Sequence, residues 1–283
     1  MKPNAQLTMQ VAWIAMLVGI TAQADAQRPQ TRDLVASGAD APARSPLHLT
    51  ESAFAQDQLQ HSRVRAAMRA ATSRIGRVFE AKGIPYPAEE IYLRVFKEEE
   101  VLELWVKPAD QSRFRLLRTY EICALAGQPG PKRRQGDEQV PEGFYMIDLF
   151  NPMSAYHLSL RVDYPNRRDR IANRGRPMGG DIFIHGGCKS IGCIAVTDAG
   201  IQDIYWMAVE ARSMGQQAIP VHIFPARPDS DVMRRLLAGS ADRPALQEFW
   251  RSLEPGYRHF EQNRRVPHVS VDAHGRYLVS DDA

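Results

Sequence analysis

The chain has 283 residues, of which 44% are hydrophobic and 24% are charged, and both values are typical of globular proteins. A chain of this length and composition can bury a sizeable core, which excludes disorder along its whole length. Its formal net charge of +3 at pH 7 is too small to indicate nucleic acid as a partner.

Residues 1–26 have the pattern of a secretory signal peptide. Lys2 precedes an apolar run over residues 11–20, and small residues then favour cleavage after Ala24 or Ala26. The apolar run is too short to span a membrane as a finished helix. An uncleaved anchor and an ordinary buried helix remain alternative interpretations. Cleavage would leave a periplasmic protein that has no stable membrane span.

Two further segments precede the central part of the chain. Residues 27–50 are rich in Ala, Pro, Ser and Arg without a period, which predicts a flexible linker. Residues 51–84 are expected to form one N-terminal helix, because apolar residues recur at helical spacing over 52–82. Gly83 and Pro85 favour the end of the helix at that point.

The central residues 85–225 are predicted to form one β-rich domain. Strands are expected over residues 91–96, 101–106, 114–123, 144–150, 157–162, 181–184 and 219–224, with loops over 126–145 and 163–180 and one helix over 197–214. Residues 226–283 are expected to form a C-terminal helical extension, with helices near 230–238 and 244–263 and a terminal hairpin over 268–279. The expected fold class is therefore α+β, a mixed, mostly-β domain with flanking helices at both ends.

Residues 182–198, with the sequence IFIHGGCKSIGCIAVTD, carry the strongest chemical signal. A short apolar strand ends at His185, and Cys193 follows eight residues later, directly after Gly192. An imidazole that removes the proton of a thiol makes that thiol a nucleophile. The backbone amides of Gly192 and Cys193 are expected to face a developing oxyanion, and the carbonyl of Gly186 is a candidate to orient the imidazole.

The chain has three cysteines, Cys123, Cys188 and Cys193. An odd count leaves at least one thiol unpaired within the chain in an oxidising compartment. Cys188 is either structural, paired with Cys123, or able to form a reversible bond with Cys193. A thiol redox protein that used Cys188 and Cys193 is a further alternative, but these two residues do not have the usual Cys-x-x-Cys spacing. Zinc bound by His185, Cys188 and Cys193 would lack an obvious fourth ligand, so no metal is expected.

The segment resembles the active-site motif of the L,D-transpeptidase (YkuD-type) family, in its YafK-like branch. The resemblance rests on His185-Gly186 and on the run Ser190-Ile191-Gly192-Cys193. Further similar motifs are Gly130-Pro131-Lys132, Gly136-Asp137, Pro141-Glu142-Gly143-Tyr145 and Asp163-Tyr164-Pro165-Asn166 followed by Asp169-Arg170. Two departures, the short interval from His185 to Cys193 and Ala195 where the family often has Arg, both resemble the YafK-like branch.

The resemblance implies a mixed-β catalytic domain and acyl transfer through a thioester on Cys193, with His185 as the base. The implied donors are peptidoglycan stem peptides that bear a diamino acid, and the acceptor is another stem, a wall-attached lipoprotein amine, or water. No metal or organic cofactor is implied. The sequence leaves transpeptidation and hydrolysis open, and a catalytically silent wall-binding scaffold is the alternative function.

Side chains on the neighbouring loops are candidates for substrate binding. The cationic and amide groups of Lys132, Asn166 and Arg170, together with Tyr164, are placed to border the site and to hold stem-peptide carboxylates. Solvated or packed loops are the alternative interpretation for these four residues. Ser190 is either an oxyanion or substrate contact, or a turn residue.

Overall fold

The computed structural model describes residues 52–280. The predicted signal peptide and the predicted linker lie outside the described residues. The helices are α1 (Ala53–Leu59), α2 (Ser62–Lys82), α3 (Arg167–Ala172), α4 (Asp198–Ser213), α5 (Asp231–Ala238) and α6 (Pro244–Asn263). The strands are β1 (Ala88–Phe96), β2 (Val101–Pro108), β3 (Arg115–Leu125), β4 (Gly143–Asn151), β5 (Ser159–Val162), β6 (Ile182–His185), β7 (Ile194–Val196), β8 (Ile219–Phe224), β9 (His268–Val271) and β10 (Tyr277–Ser280).

The first eight strands form a closed barrel in the order β1-β2-β3-β7-β6-β5-β4-β8. Two neighbouring pairs are parallel, β6 with β7 and β1 with β8, and the second of these closes the barrel. The other six pairs are antiparallel. Every residue of β8 is buried, as expected for a strand with neighbours on both edges and side chains packed on both faces. The expected fold class is confirmed.

Helix α4 lies within the main core and contacts α1, α2, β1, β5 and β6. Eleven of its sixteen residues are buried, which is the pattern of a helix that is covered on most sides. Helix α2 adds Val64, Ala67, Ala71, Ile75 and Phe79 to the same core, at helical spacing along one face. Among residues 52–280, no helix is long and apolar enough to cross a membrane.

The N-terminal segment, for which one continuous helix was predicted, contains two helices. Ser52 caps the start of helix α1, since its Oγ accepts a hydrogen bond from Ala55 N at 3.0 Å. The helical conformation is interrupted between α1 and α2, because the backbone of His61 is extended, with φ −83° and ψ 126°. The apolar spacing continues through this break, so sequence periodicity did not reveal it. Helix α2 ends at Gly83 in the left-handed conformation, at the predicted stop.

The C-terminal extension packs on the barrel through a second hydrophobic cluster. From α6, Phe249, Trp250, Leu253 and Tyr257 pack with Phe96, Phe144 and Phe224 of the barrel strands. A buried guanidinium strengthens the junction: Arg94 of β1 pairs with Glu103 of β2 at 2.7 Å and with Glu261 of α6 at 2.6 Å. Strands β9 and β10 form an antiparallel pair where the terminal hairpin was predicted.

Two short elements near the site were not predicted. Strand β7 lies between β3 and β6 and begins directly after Cys193. Helix α3 occupies part of the segment that was predicted as a polar loop over 163–180. A capping box starts this helix, because Asn166 Oδ1 accepts from Asp169 N and the Asp169 carboxylate accepts from Asn166 N, each at 3.1 Å.

Candidate active site

The parallel pair of β6 and β7 brings His185 and Cys193 to one cavity. His185 is the last residue of β6, and Cys193 immediately precedes β7. Their register places Ile184 opposite Ile194 and His185 opposite Ala195. Cys193 therefore lies next to the strand that carries the imidazole. Both side chains line a cavity of about 580 Å³, together with residues from the segments 132–138, 151–156 and 179–183.

The imidazole of His185 is held from two sides, and its residue is only 2% exposed. Its Nδ1 lies 2.6 Å from the carbonyl oxygen of Gly186, the group that the sequence indicated for this role. A carbonyl can only accept, so Nδ1 carries the proton and Nε2 is the basic nitrogen. The ring also stacks on Tyr156, with centroids 4.8 Å apart and an interplanar angle of 28°.

The peptide group between Gly186 and Gly187 is bonded at both ends. Its carbonyl accepts from His185, and its N–H donates to Asp198 Oδ1 at 2.9 Å. A Cβ on Gly186 would lie 2.5 Å from the same Asp198 oxygen, so a larger residue here would displace the carboxylate that holds Gly187 N. Neither Asp198 nor Tyr156 was predicted from the sequence as a residue of the site.

Ser190 organises the backbone just before Cys193. Its Oγ accepts hydrogen bonds from Cys193 N at 2.9 Å and Gly192 N at 3.2 Å, and it donates to Cys193 O at 2.7 Å. In this structure the two amides that were predicted to face an oxyanion donate to Ser190 Oγ. The reason is local, because a serine hydroxyl readily accepts from amides two and three residues ahead.

Burial moves the pKa values of Cys193 and His185 in opposite directions. It raises the pKa of the Cys193 thiol above its ordinary value, although the amide of Phe183 and the charge of Lys132 act the other way. It lowers the pKa of His185, and the bond to the Gly186 carbonyl partly offsets this. The resting pair is therefore a neutral thiol and a neutral imidazole at pH 7, which suits general-base removal of the proton during attack.

The cysteine alternatives resolve into one disulfide and one free thiol. Cys123 of β3 is bonded to Cys188, with their Cα atoms 5.2 Å apart. Cys193 is the free cysteine. The disulfide ties the loop between His185 and Cys193 to the barrel wall, and it leaves Cys188 neither as a zinc ligand nor as a partner of Cys193. Within residues 52–280, no three His, Cys, Asp or Glu side chains are grouped as a metal site.

A buried ion pair anchors the loop over residues 126–142, part of which lines the cavity. Lys97 Nζ bonds Glu142 Oε1 at 3.0 Å and also donates to the carbonyls of Gln128, Gly130 and Val140. Glu142 in turn accepts from Gly130 N at 2.6 Å and from Trp250 Nε1 of α6 at 2.8 Å. The C-terminal extension therefore holds this loop in position.

The four residues predicted to bind substrate are divided between two places. Lys132 lines the catalytic cavity, but its ammonium group is bonded to Asp137 and to the carbonyl of Arg134. Tyr164, Asn166 and Arg170 line a neighbouring cavity instead. Asn166 also caps α3 and donates to Phe144 O at 3.0 Å, whereas Arg170 is exposed. Gly192 lines the same cavity as His185 and Cys193. Gly186 and Ser190 are not among its lining residues, but they hydrogen-bond His185 and Cys193, which are.

The geometry and the comparisons with known proteins agree on the class of protein. The chain matches the family described as YkuD, L,D-transpeptidase catalytic domain, over residues 92–223. It is 40% identical over 192 residues to YafK of Escherichia coli (strain K12), whose name assigns it provisionally to the L,D-transpeptidases; the match covers 67% of this chain and 74% of YafK. The chain therefore belongs to the L,D-transpeptidase family, and the resemblance stated from its sequence is confirmed.

Two solved structures are also similar. One is the crystal structure of the helical cell shape determining protein Pgp2 from Campylobacter jejuni, with 21% identity, a TM-score of 0.38 and 50% of each chain covered. The chain thus spans about half the length of Pgp2. The other is Bd1075 of Bdellovibrio bacteriovorus, with 17% identity and a TM-score of 0.35, where the match covers 65% of this chain and 78% of that one.

Proposed function

We propose that this protein is an exported cysteine acyltransferase or hydrolase that acts on peptidoglycan stem peptides in the periplasm. Cys193 is the nucleophile and His185 is its base. The observation that carries the proposal is the shared cavity, which is lined both by a free thiol and by an imidazole whose Nδ1 is fixed on the Gly186 carbonyl. Membership of the L,D-transpeptidase family supports peptidoglycan as the substrate, and the predicted signal peptide supports export.

The acylation step begins with attack of Cys193 Sγ on the carbonyl carbon of a stem-peptide amide. The S–C bond forms, His185 Nε2 takes the thiol proton, and the carbonyl π electrons move to oxygen. The resulting oxyanion is a stronger acceptor than a hydroxyl, so it can replace Ser190 Oγ on the amides of Gly192 and Cys193. The C–N bond then breaks, and the leaving amine takes the proton from His185.

The second half-reaction releases the acyl group from the thioester. His185 removes a proton from an incoming amine or water, which attacks the thioester carbon, and the C–S bond breaks. The thiolate of Cys193 then regains a proton from the imidazolium. An amine acceptor gives transpeptidation and water gives hydrolysis, so access to the cavity after acylation decides the product.

Mass spectrometry of purified peptidoglycan fragments tests this proposal. Fragments are incubated with the wild-type protein and with Cys193→Ala, under conditions that keep the Cys193 thiol reduced. Loss of a stem residue or of an attached peptide with wild type alone indicates hydrolysis. A new crosslink with wild type alone indicates transpeptidation. Identical fragment patterns with both proteins would favour the silent wall-binding scaffold instead.

A further inference from the structure

A second cavity of about 400 Å³ adjoins the catalytic cavity on the side of α3. The two cavities share Gly180 and Asp181 in their walls. The carbonyl oxygen of Asp181 lies 3.6 Å from Cys193 Sγ, so the shared wall is next to the nucleophile. A substrate whose scissile bond is at Cys193 can therefore place a side group in the second cavity.

The charges of the second cavity are balanced in number but are mostly not paired with one another. Six charged residues line it, namely Asp148, Asp163, Asp181, Arg161, Arg167 and Arg170. Arg161 and Asp148 form a two-point ion pair, with bonds of 2.9 and 3.2 Å. Among the described residues, the other four have no ion-pair partner within 4.0 Å. Two carboxylates and two guanidinium groups are therefore available to a ligand.

Backbone contacts hold the carboxylate of Asp163 and the start of the helix that carries Arg170. Asp163 follows β5, and its Oδ1 accepts from Met146 N at 2.9 Å, which fixes the carboxylate. Arg170 is in α3, which the capping box of Asn166 and Asp169 holds at its start. Burial raises the pKa of Asp163, although the bond from Met146 N and the charge of Arg170 act the other way.

A ligand of a single charge would be attracted by one pair of these groups and repelled by the other. A ligand with an ammonium and a carboxylate on one carbon satisfies both pairs at once. We propose that the second cavity binds such a zwitterionic amino-acid end, with Arg170 on the carboxylate and Asp163 on the ammonium. This inference rests on the proposed function, and it assigns the cavity to the free end of the diamino acid in the stem peptide.

Four synthetic stem peptides test the assignment. In the first, the diamino acid keeps its free ammonium and carboxylate; in the others the carboxylate is amidated, the amine is acetylated, or both are blocked. Each block is expected to weaken kcat/KM about tenfold to a hundredfold, mainly through KM, because a hydrogen bond to a charged group is lost. The same series is titrated by calorimetry against Cys193→Ala protein, which reports binding without turnover.

Two variants give a crossed pattern that a general loss of stability would not produce. The Arg170→Gln variant is expected to bind the peptide with the amidated carboxylate as well as the free peptide. It should still bind the peptide with the acetylated amine more weakly. Asp163→Asn, which keeps an oxygen for Met146 N, is expected to do the reverse. Arg174→Gln is the control, since Arg174 does not line this cavity. Its preference for the free zwitterion should match that of the wild type.

The outcomes separate this inference from the proposed function. Turnover that depends on Cys193 but is equal for all four peptides would overturn the zwitterion subsite and leave the catalytic proposal standing. Binding that prefers the free zwitterion, without any turnover, would support the subsite and overturn the catalytic proposal. Equal or undetectable binding of all four peptides, together with no turnover, would overturn both.

Discussion

Asp198 and His185 contact opposite ends of one peptide group. Asp198 Oδ1 accepts the N–H of Gly187 at 2.9 Å, and the carbonyl of the same peptide faces His185 Nδ1 at 2.6 Å. A carboxylate at the amide end increases the polarity of the carbonyl end, since hydrogen bonds in a chain polarise one another. Asp198 is therefore a positioning residue that acts on the imidazole through a backbone peptide.

Neutralising Asp198 is expected to affect the pKa of His185 as well as the rate. In Asp198→Asn an oxygen can still accept from Gly187 N, but the negative charge that favours the imidazolium is lost. The pKa of His185 should fall further, which moves the acid limb of the kcat/KM profile to lower pH, and kcat should fall about tenfold. Steady-state kinetics across pH, with thermal unfolding as the stability control, provide the measurement. A lower rate with an unmoved acid limb would mean that Asp198 only supports the start of α4.

The wild-type pH dependence follows from the directions of the two pKa shifts. The pKa of His185 lies below its ordinary 6.5, so the base stays unprotonated in mildly acidic solution. The pKa of Cys193 lies above its ordinary 9.0, so the thiolate is a minor species until the solution is strongly alkaline. The rate of alkylation of Cys193 by iodoacetamide should therefore still rise as the pH passes 9. Alkylation that levels off below pH 8, with Cys193→Ala as the blank, would instead indicate a preformed thiolate–imidazolium pair.

Removal of the disulfide is expected to cost stability and activity together. The bond joins residues 65 positions apart, and loss of such a crosslink typically costs about 2–5 kcal/mol of unfolding free energy. It also frees the loop between His185 and Cys193. The double variant Cys123→Ser/Cys188→Ser avoids a stray thiol and is compared with wild type in urea unfolding and turnover assays. Equal midpoints for the two proteins would contradict this prediction.

Loss of Glu142 should destabilise the protein far more than loss of a surface carboxylate. Glu142→Ala leaves the buried ammonium of Lys97 without its counter-ion and removes the acceptor of Trp250, which should cost about 3–5 kcal/mol. Asp148→Ala is the matched control, because the half-exposed pair with Arg161 should contribute less than about 1 kcal/mol. Urea unfolding of both variants gives the comparison. Similar losses would show that the buried pair has no special role.

The sequence predicted most of the barrel because its strands are long apolar runs between clear turn signals. Strand β7 was missed because three residues are too few for a periodic pattern. Helix α3 was missed because four of its six residues are Arg or Asp, although the Asn166-x-x-Asp169 spacing is a detectable capping signal. The disulfide stayed open for another reason, since three cysteines allow several pairings and only the fold brings β3 next to Cys188.

The chemistry of the site was partly accessible in the same way. His185 and Cys193 stood out because their residue types and flanking glycines are unusual together. The engagement of the Gly192 and Cys193 amides by Ser190 depends on a turn geometry that spacing alone does not specify. Asp198 reaches Gly187 only because α4 begins beside β6 in space. Such contacts between elements are set by tertiary packing, which no local pattern contains.

The pairing of β1 with β8 also governs when this protein can fold. Residues 93–96 must meet residues 221–224 before the barrel closes, so nearly the whole domain has to be present first. A chain that stops before β8 leaves β1 and β4 with unpaired edges, which invite contacts with other chains. Distant pairings of this kind slow folding. During synthesis the barrel of this chain therefore stays open until residues 219–224, near the end of the central domain, have been made.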